Sequence, residues 1–489
     1  MKTKVINYRT VCRVMGWMLL LEAAMLILPT LVSISYGEND YKVFLAAIGC
    51  CMVPGLLLAQ PGSGFNTDVT RRESYLLTGL CWVLFSAFGM LPLIWSPTCS
   101  LGVADAFFET MSGFTTTGAT VIADVDRCSK GVLFWRSEIQ WFGGLGIILF
   151  TLALLPALNK TDGIWMFNTE TTGITHDKIH PRIGHTAKTL WMVYSMITIL
   201  CILALWAGPM DLFDSVCTSM SCVSTGGFSP HSAGLDYWDS AYINGTMTIF
   251  MFVSGINFII LYRVARGDRK SLTGNDVFRC YCMILGVSYM ITLLSLLISG
   301  EPRSLRNLLI DPLCQTVSAF TSTGVSSMPY EIMRPSVVAV LTLLMGIGAC
   351  AGSTSGGLKT DRLLVICKNA RNESRRILYP NRMNAIHVNG TYLSDGILIK
   401  IFAFLACYLF LWLATTVITT MYGFPVFDSA FAVLSCLSNN GLGYGITGSE
   451  GSFSVFPDLV KWLMSGVMLA GRLEIFTIIV LFIPRFWRG

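Results

Sequence analysis

Apolar residues in this chain come in long runs separated by short polar stretches, and the runs recur from one end to the other. A helix needs roughly 20 residues to cross a hydrocarbon core of about 30 Å, so each run predicts a spanning helix. Ten emerge, at 11–32, 41–60, 75–95, 132–155, 189–206, 242–264, 277–298, 337–366, 396–421 and 459–482. Four shorter segments, 104–114, 212–223, 308–320 and 427–437, are too brief to cross and predict half-length helices. The first run follows a basic start but exceeds the about 7 to 15 residues of a signal-peptide core and lacks a small-residue cleavage site, which predicts a retained helix.

Each half-length segment runs into the same polar grammar. It reads Thr115-Thr116-Thr117-Gly118, then Ser224-Thr225-Gly226-Gly227, Thr321-Ser322-Thr323-Gly324 and Ser438-Asn439-Asn440-Gly441. Thirteen residues before the closing glycines Gly118, Gly227, Gly324 and Gly441 stand Asp105, Asp214, Asp311 and Asp428; six before stand Ser112, Ser221, Ser318 and Ser435. Four matching registers make an internal repeat. The predicted fold is an all-α membrane protein of ten transmembrane helices, an N-terminal hairpin (1–65) plus four helix/pore-loop/helix repeats (66–160, 161–270, 271–385, 386–489) around a pseudo-four-fold pore.

Composition agrees, because 53% hydrophobic against 13% charged residues cannot furnish a water-soluble surface. The net charge of +5 belongs beside the membrane rather than on nucleic acid. With a cytoplasmic N-terminus the inner segments gather most of the basic residues, while the outer ones hold only Lys42, Arg127, Lys130, Arg303, Arg306, Arg334 and Lys461. The positive-inside rule therefore predicts that both termini are cytoplasmic and that the half-length helices enter from outside. The 16 cysteines form no metal or disulfide spacing and read as small hydrophobes.

Non-helical backbone at membrane depth survives only where it lines water or is buried in protein. Glycine lets consecutive carbonyls turn toward one axis, and rings of such carbonyls replace a cation's hydration shell. The four aspartates sit where an N-cap is expected. The run 346–357, which includes Gly346, Gly348, Gly352, Ser353, Thr354, Gly356 and Gly357, should break its helix and form a flexible plug below the carbonyl rings, with a small-residue helix-packing face as the alternative. It lacks the Gly-Lys-Ser/Thr ending of a phosphate-binding loop. Arg472, in the run 459–482, is a costly charge there, read either as an electrostatic barrier facing the conduit or as a structural ion pair; Glu474 should point elsewhere on the helix. Arg136, Glu138 and Gln140 read as membrane-interface residues, Trp141-Phe142-Gly143-Gly144 as a close-packing patch, and His176, His180 and His185 with Asp177 as a solvated inner loop rather than a zinc site. An enzyme would need a nucleophile and base facing each other at membrane depth, and the sequence offers no such pair. A receptor or scaffold predicts no ion flux.

At Phe114 to Thr120, Trp141-Phe142-Gly143-Gly144, Pro181-Arg182-Ile183, Ala351-Gly352-Ser353-Thr354 and Gly471-Arg472-Leu473-Glu474 the chain resembles the TrkH/KtrB/Trk family of potassium uptake proteins over its full length, and the two extra N-terminal helices favour the TrkH branch. The resemblance implies potassium translocation across the bacterial inner membrane, with a sodium- or proton-coupled symporter or a less selective monovalent cation channel as alternatives. It implies a filter built by Thr116, Thr117, Thr225, Gly226, Ser322, Thr323, Asn439 and Asn440, with potassium the bound ion. The glycine-rich run and Arg472 would form the gate. It also implies a homodimer in lipid with a cytosolic nucleotide-binding regulatory subunit of the TrkA type, and no cofactor held by this chain.

Overall fold

The computed structural model describes residues 6–60, 70–146, 183–299, 305–328, 333–379, 386–448 and 451–487. The segment carrying His176, Asp177 and His180, the side chain of His185 and residues 147–155 of the fourth expected span lie outside the described residues.

The N-terminal hairpin consists of α1 (Tyr8–Met25), continued by α2 (Ile27–Ser35), and α3 (Tyr41–Ala59). Asn7 starts α1 by accepting the Arg9 and Thr10 amides on its side chain. A Cβ on Gly16 would strike the Gly55 carbonyl and the Ala59 amide, so the two backbones meet where side chains are smallest. Carboxylates fasten the hairpin to the first repeat. Glu73 Oε1 accepts the Asn7 amide at 2.7 Å, and Glu38 accepts the Lys130 and Gly131 amides at 2.6 and 3.1 Å.

Each repeat then brings a long helix, a half-length helix, a loop and a further helix. The first comprises α4 (Arg71–Gly89) with α5 (Leu91–Trp95), α6 (Val103–Phe114) and α7 (Lys130–Leu145). The second comprises α8 (Ile183–Trp206), α9 (Leu212–Ser224), α10 (Ala241–Ser254) and α11 (Phe258–Ala265). The third comprises α12 (Asp276–Ser299), α13 (Leu305–Phe320), α14 (Pro335–Ile347) and α15 (Thr360–Leu378). The fourth comprises α16 (Asp395–Thr420), α17 (Val426–Leu437), α18 (Asp458–Arg472) and α19 (Phe476–Phe482).

The half-length helices form the centre. Every residue of α6 from Ala106 to Phe114 is buried although Glu109, Thr110 and Ser112 are polar. The long first helices of the second, third and fourth repeats form the wall: only 33%, 28% and 17% of the apolar windows of α8, α12 and α16 are buried inside the molecule. Such outward apolar surface fits lipid rather than water.

Among the described residues six helices are long and apolar enough to cross a membrane, and up to eight if each bent pair is one span. The expected span 242–264 is bent by 101° between α10 and α11, and 459–482 by 118° between α18 and α19. The span 337–366 breaks after Ile347, as its glycines suggest, and α7 ends at Gly146 with φ 97°. Hydropathy does not register a bend, so runs that look continuous conceal these breaks. The chain also departs from pure helix at a two-stranded ribbon, β1 (His387–Val388) and β2 (Thr391–Tyr392), joined through Asn389 and Gly390 at φ 51° and 76°. An Asn-Gly pair is the favoured two-residue hairpin turn.

Candidate functional site

The four loops repeat in conformation as well as in sequence. The residue two before each closing glycine has a left-handed backbone: Thr116, Thr225, Ser322 and Asn439 have φ of 55°, 55°, 53° and 51°. The closing glycines Gly118, Gly227, Gly324 and Gly441 have φ of 81°, 80°, 75° and 78°. Left-handed backbone costs an L-residue roughly 1–2 kcal/mol and is most easily borne by Asn. The fourth loop, the most divergent in sequence, is therefore regular in backbone.

The serine register marks a backbone contact. The amide before each glycine returns to that serine's carbonyl: Thr117 to Ser112 at 2.8 Å, Gly226 to Ser221 at 2.9 Å, Thr323 to Ser318 at 3.0 Å and Asn440 to Ser435 at 2.9 Å. The aspartates are not the N-caps expected. The N-caps of α6, α9 and α17 are Gly102, Asp211 and Pro425, which puts Asp105, Asp214 and Asp428 at the third helical position, and α13 begins six residues before Asp311. In the three first-turn cases the carboxylate still meets the positive end of the helix dipole.

The glycines join the loops into a closed ring. A Cβ on Gly118 would collide with the Gly226 carbonyl oxygen, one on Gly227 with Thr323 O, one on Gly324 with Asn440 O, and one on Gly441 with Thr117 O. Each loop thus nests against the carbonyl before the next glycine, and the fourth returns to the first. All four glycines line one cavity, which also takes in Thr120, His231 and Asp236. At its rim His231 sits between Asp126 and Asp214, 2.9 Å from each. Partial burial pushes the Asp126 carboxyl up, but hydrogen bonds from Ser232 and His231 outweigh it and hold Asp126 below its usual value.

The glycine-rich run packs on the opposite side of the ring. Between α14 and α15 it doubles back: Leu358 N donates to Gly346 O at 3.1 Å and Thr360 N to Ala349 O at 2.9 Å, with Gly348, Gly352 and Gly357 at positive φ. Gly356 N donates to Ser322 Oγ at 2.6 Å, and a Cβ on Gly356 would strike Ser438 O. Thr354 Oγ1 donates to Val223 O at 3.2 Å. The run therefore touches the end of α9 and loops three and four. Gly352 lies against the Asn257 side chain at the break between α10 and α11, and Ser353 Oγ donates to Cys350 O within the run. Gly346 remains at the end of α14, with Leu434 its nearest neighbour.

Arg472 ends α18 directly beneath. It donates through Nη1 to Thr354 O at 2.9 Å and through Nη2 to Gly143 O and Gly144 O at 2.5 Å each. The guanidinium thus ties the run to the end of α7. Glu474 reaches Arg362 on α15 at 2.6 Å, away from Arg472.

The expected interface position of Arg136, Glu138 and Gln140 is overturned, because all three are buried. The cause is that α7 lies between α6 and α9 rather than at the edge of the bundle. Arg136 pairs with Glu109 at 2.8 Å and stacks 4.1 Å from the centre of the Phe228 ring. Glu109 also accepts Thr120 Oγ1 and the Val121 amide at 2.9 and 2.8 Å, so the pair braces the exits of loops one and two. Removing one partner of a buried pair costs about 3–5 kcal/mol. Arg136→Ala is expected to lower the thermal midpoint of the purified protein by several degrees, and an unchanged midpoint would refute this bracing role. The close-packing reading of Gly143 and Gly144 fits the geometry, since a Cβ would strike Phe114 O at the first and Tyr194 Oη at the second. Among the described residues no group of three His, Cys, Asp or Glu could hold a metal ion.

A family model described as TrkH, cation transport protein, matches residues 41–488. The chain is 34% identical over 489 residues to the Trk system potassium uptake protein TrkH of Escherichia coli strain K12, covering 99% of this chain and 100% of that one. It is 32% identical to the Trk system potassium uptake protein TrkG of the same strain, covering 99% of each. The crystal structure of the potassium transporter TrkH from Vibrio parahaemolyticus superposes with a TM-score of 0.89 at 30% identity, over 99% of this chain and 100% of that one.

Proposed function

This chain belongs to the TrkH family of cation transport proteins, and we propose that it moves potassium across the bacterial inner membrane along the axis of the four-loop ring. The observation that carries this reading is the cyclic contact of Gly118, Gly227, Gly324 and Gly441 with the carbonyls of Gly226, Thr323, Asn440 and Thr117. A ring closed in this way sets backbone oxygens around one axis, the arrangement that replaces potassium's hydration shell. The carbonyls of Thr116, Thr117, Thr225, Gly226, Ser322, Thr323, Asn439 and Asn440 would supply the ligands.

Ions would enter through the cavity at the closing glycines and leave past the glycine-rich run. That run, clamped by Arg472, is the gate. Counting each bent pair as one crossing gives eight spans, and α7 together with the pair α14 and α15 would bring the arrangement to ten, with both termini cytoplasmic. A homodimer in lipid and a cytosolic nucleotide-binding regulator of the TrkA type complete the assembly. In cells stripped of their own potassium uptake systems, expression of this chain with such a regulator is expected to restore growth at low potassium. Failure to restore growth, with the protein present in the membrane, would contradict the proposal.

A further inference from the structure

Gly226 is the exception in the ring. Directly before the closing glycine, loops one and three carry Thr117 and Thr323 and loop four carries Asn440, but loop two has no side chain there. In loops one and three that threonine braces its own loop, bonding the hydroxyl two residues earlier: Thr115 to Thr117 at 2.8 Å and Thr321 to Thr323 at 2.8 Å. Loop two cannot do this.

A residue from another element fills the gap. Gln140, fully buried on α7, donates from Nε2 to the Gly226 carbonyl at 2.7 Å, while its Oε1 accepts the Ser221 hydroxyl at 2.7 Å and the Phe228 amide at 3.2 Å. The three nearest neighbours of a Cβ placed on Gly226 would be Cδ, Oε1 and Nε2 of Gln140, all far inside contact distance. Gly226 does not have a positive φ, so the Gln140 carboxamide, not backbone conformation, is what excludes a side chain there.

We infer that Gln140 is a positioning residue for ion selection: it completes the second quarter of the ring from α7, replacing the brace that Thr117 and Thr323 give their own loops, and fixes the Gly226 carbonyl. This rests on the reading of the ring as a potassium filter. Gln140 holds the start, middle and exit of one loop through Ser221, Gly226 and Phe228. A carbonyl set by one amide donor shifts when that donor is lost, and the ring loses its match to one ion size.

The test is potassium and sodium flux into liposomes holding purified protein. Gln140→Met keeps the volume and removes both kinds of bond; the potassium-to-sodium ratio is expected to fall about tenfold, as for loss of one hydrogen bond's worth of preference. Gly226→Thr alone is expected to abolish potassium flux, and adding Gln140→Ala is expected to restore both flux and ratio, because loop two then carries the same threonine as loops one and three. An unchanged ratio in Gln140→Met, an equal loss of both ions at constant ratio, or no restoration in the combined variant would overturn the inference. A wild-type protein that fails to favour potassium would instead overturn the filter reading, and it is measured first in the same series.

Discussion

Gly324→Ser and Gly118→Ser are expected to destroy potassium selectivity, with the potassium-to-sodium uptake ratio falling at least about tenfold, the equivalent of 1.4 kcal/mol of lost preference. Two costs coincide at each glycine. The left-handed backbone, φ 75° at Gly324 and 81° at Gly118, penalises any side chain by roughly 1–2 kcal/mol. The larger cost is steric, since the new Cβ would collide with Asn440 O or Gly226 O and backbone cannot step aside as a flexible side chain can. The neighbouring loops must part, which moves the carbonyls the ion would meet. Gly245→Ser, on α10 with nothing within 4 Å of its Cβ position, is the control and should leave uptake unchanged. Wild-type affinity and selectivity in both ring variants would show that these glycines do not shape a filter.

Arg472→Ala is expected to raise basal flux in the absence of any regulator, by about tenfold if it removes 1.4 kcal/mol from the closed state. Its guanidinium bonds the tip of the glycine-rich run at Thr354 and the end of α7 at Gly143 and Gly144. Hydrogen bonds from a charged group contribute about 1.5–3 kcal/mol each. Arg472→Lys keeps the charge but loses the planar fork that reaches both partners, so it should fall between wild type and alanine. Deleting residues 348–353 should raise flux further by shortening the run itself. Unchanged or lower flux in folded Arg472→Ala or deletion protein would argue against a gate at this position.

The ring was legible in the sequence because it is written in backbone requirements. A glycine that must have positive φ, and a residue before it whose amide must return five positions along the repeat, leave a fixed spacing that survives changes in side chain. That spacing places Asn439-Asn440-Gly441 in the same grammar as Thr116-Thr117-Gly118. The aspartates were legible as a register but not as a position, because a carboxylate at the third helical residue meets nearly the same field as one at the cap. The breaks after α10 and α18 were hidden in apolar runs, although Gly255 with Asn257, whose side chain accepts the Ile259 amide and donates to Ala351 O, could have marked the first. Arg136 and Gln140 were hidden for a different reason: polar residues near a helix start look alike whether they meet headgroups or the back of a loop. Only the packing of α7 between α6 and α9 distinguishes the two.

The most direct test of the central claim is ion flux into liposomes reconstituted with this chain alone, comparing potassium with sodium under equal gradients and with Gly324→Ser alongside. Flux that favours potassium is expected in the wild-type protein, and loss of that preference in Gly324→Ser. A wild-type flux that does not favour potassium, or a potassium preference that persists in Gly324→Ser, would contradict the filter.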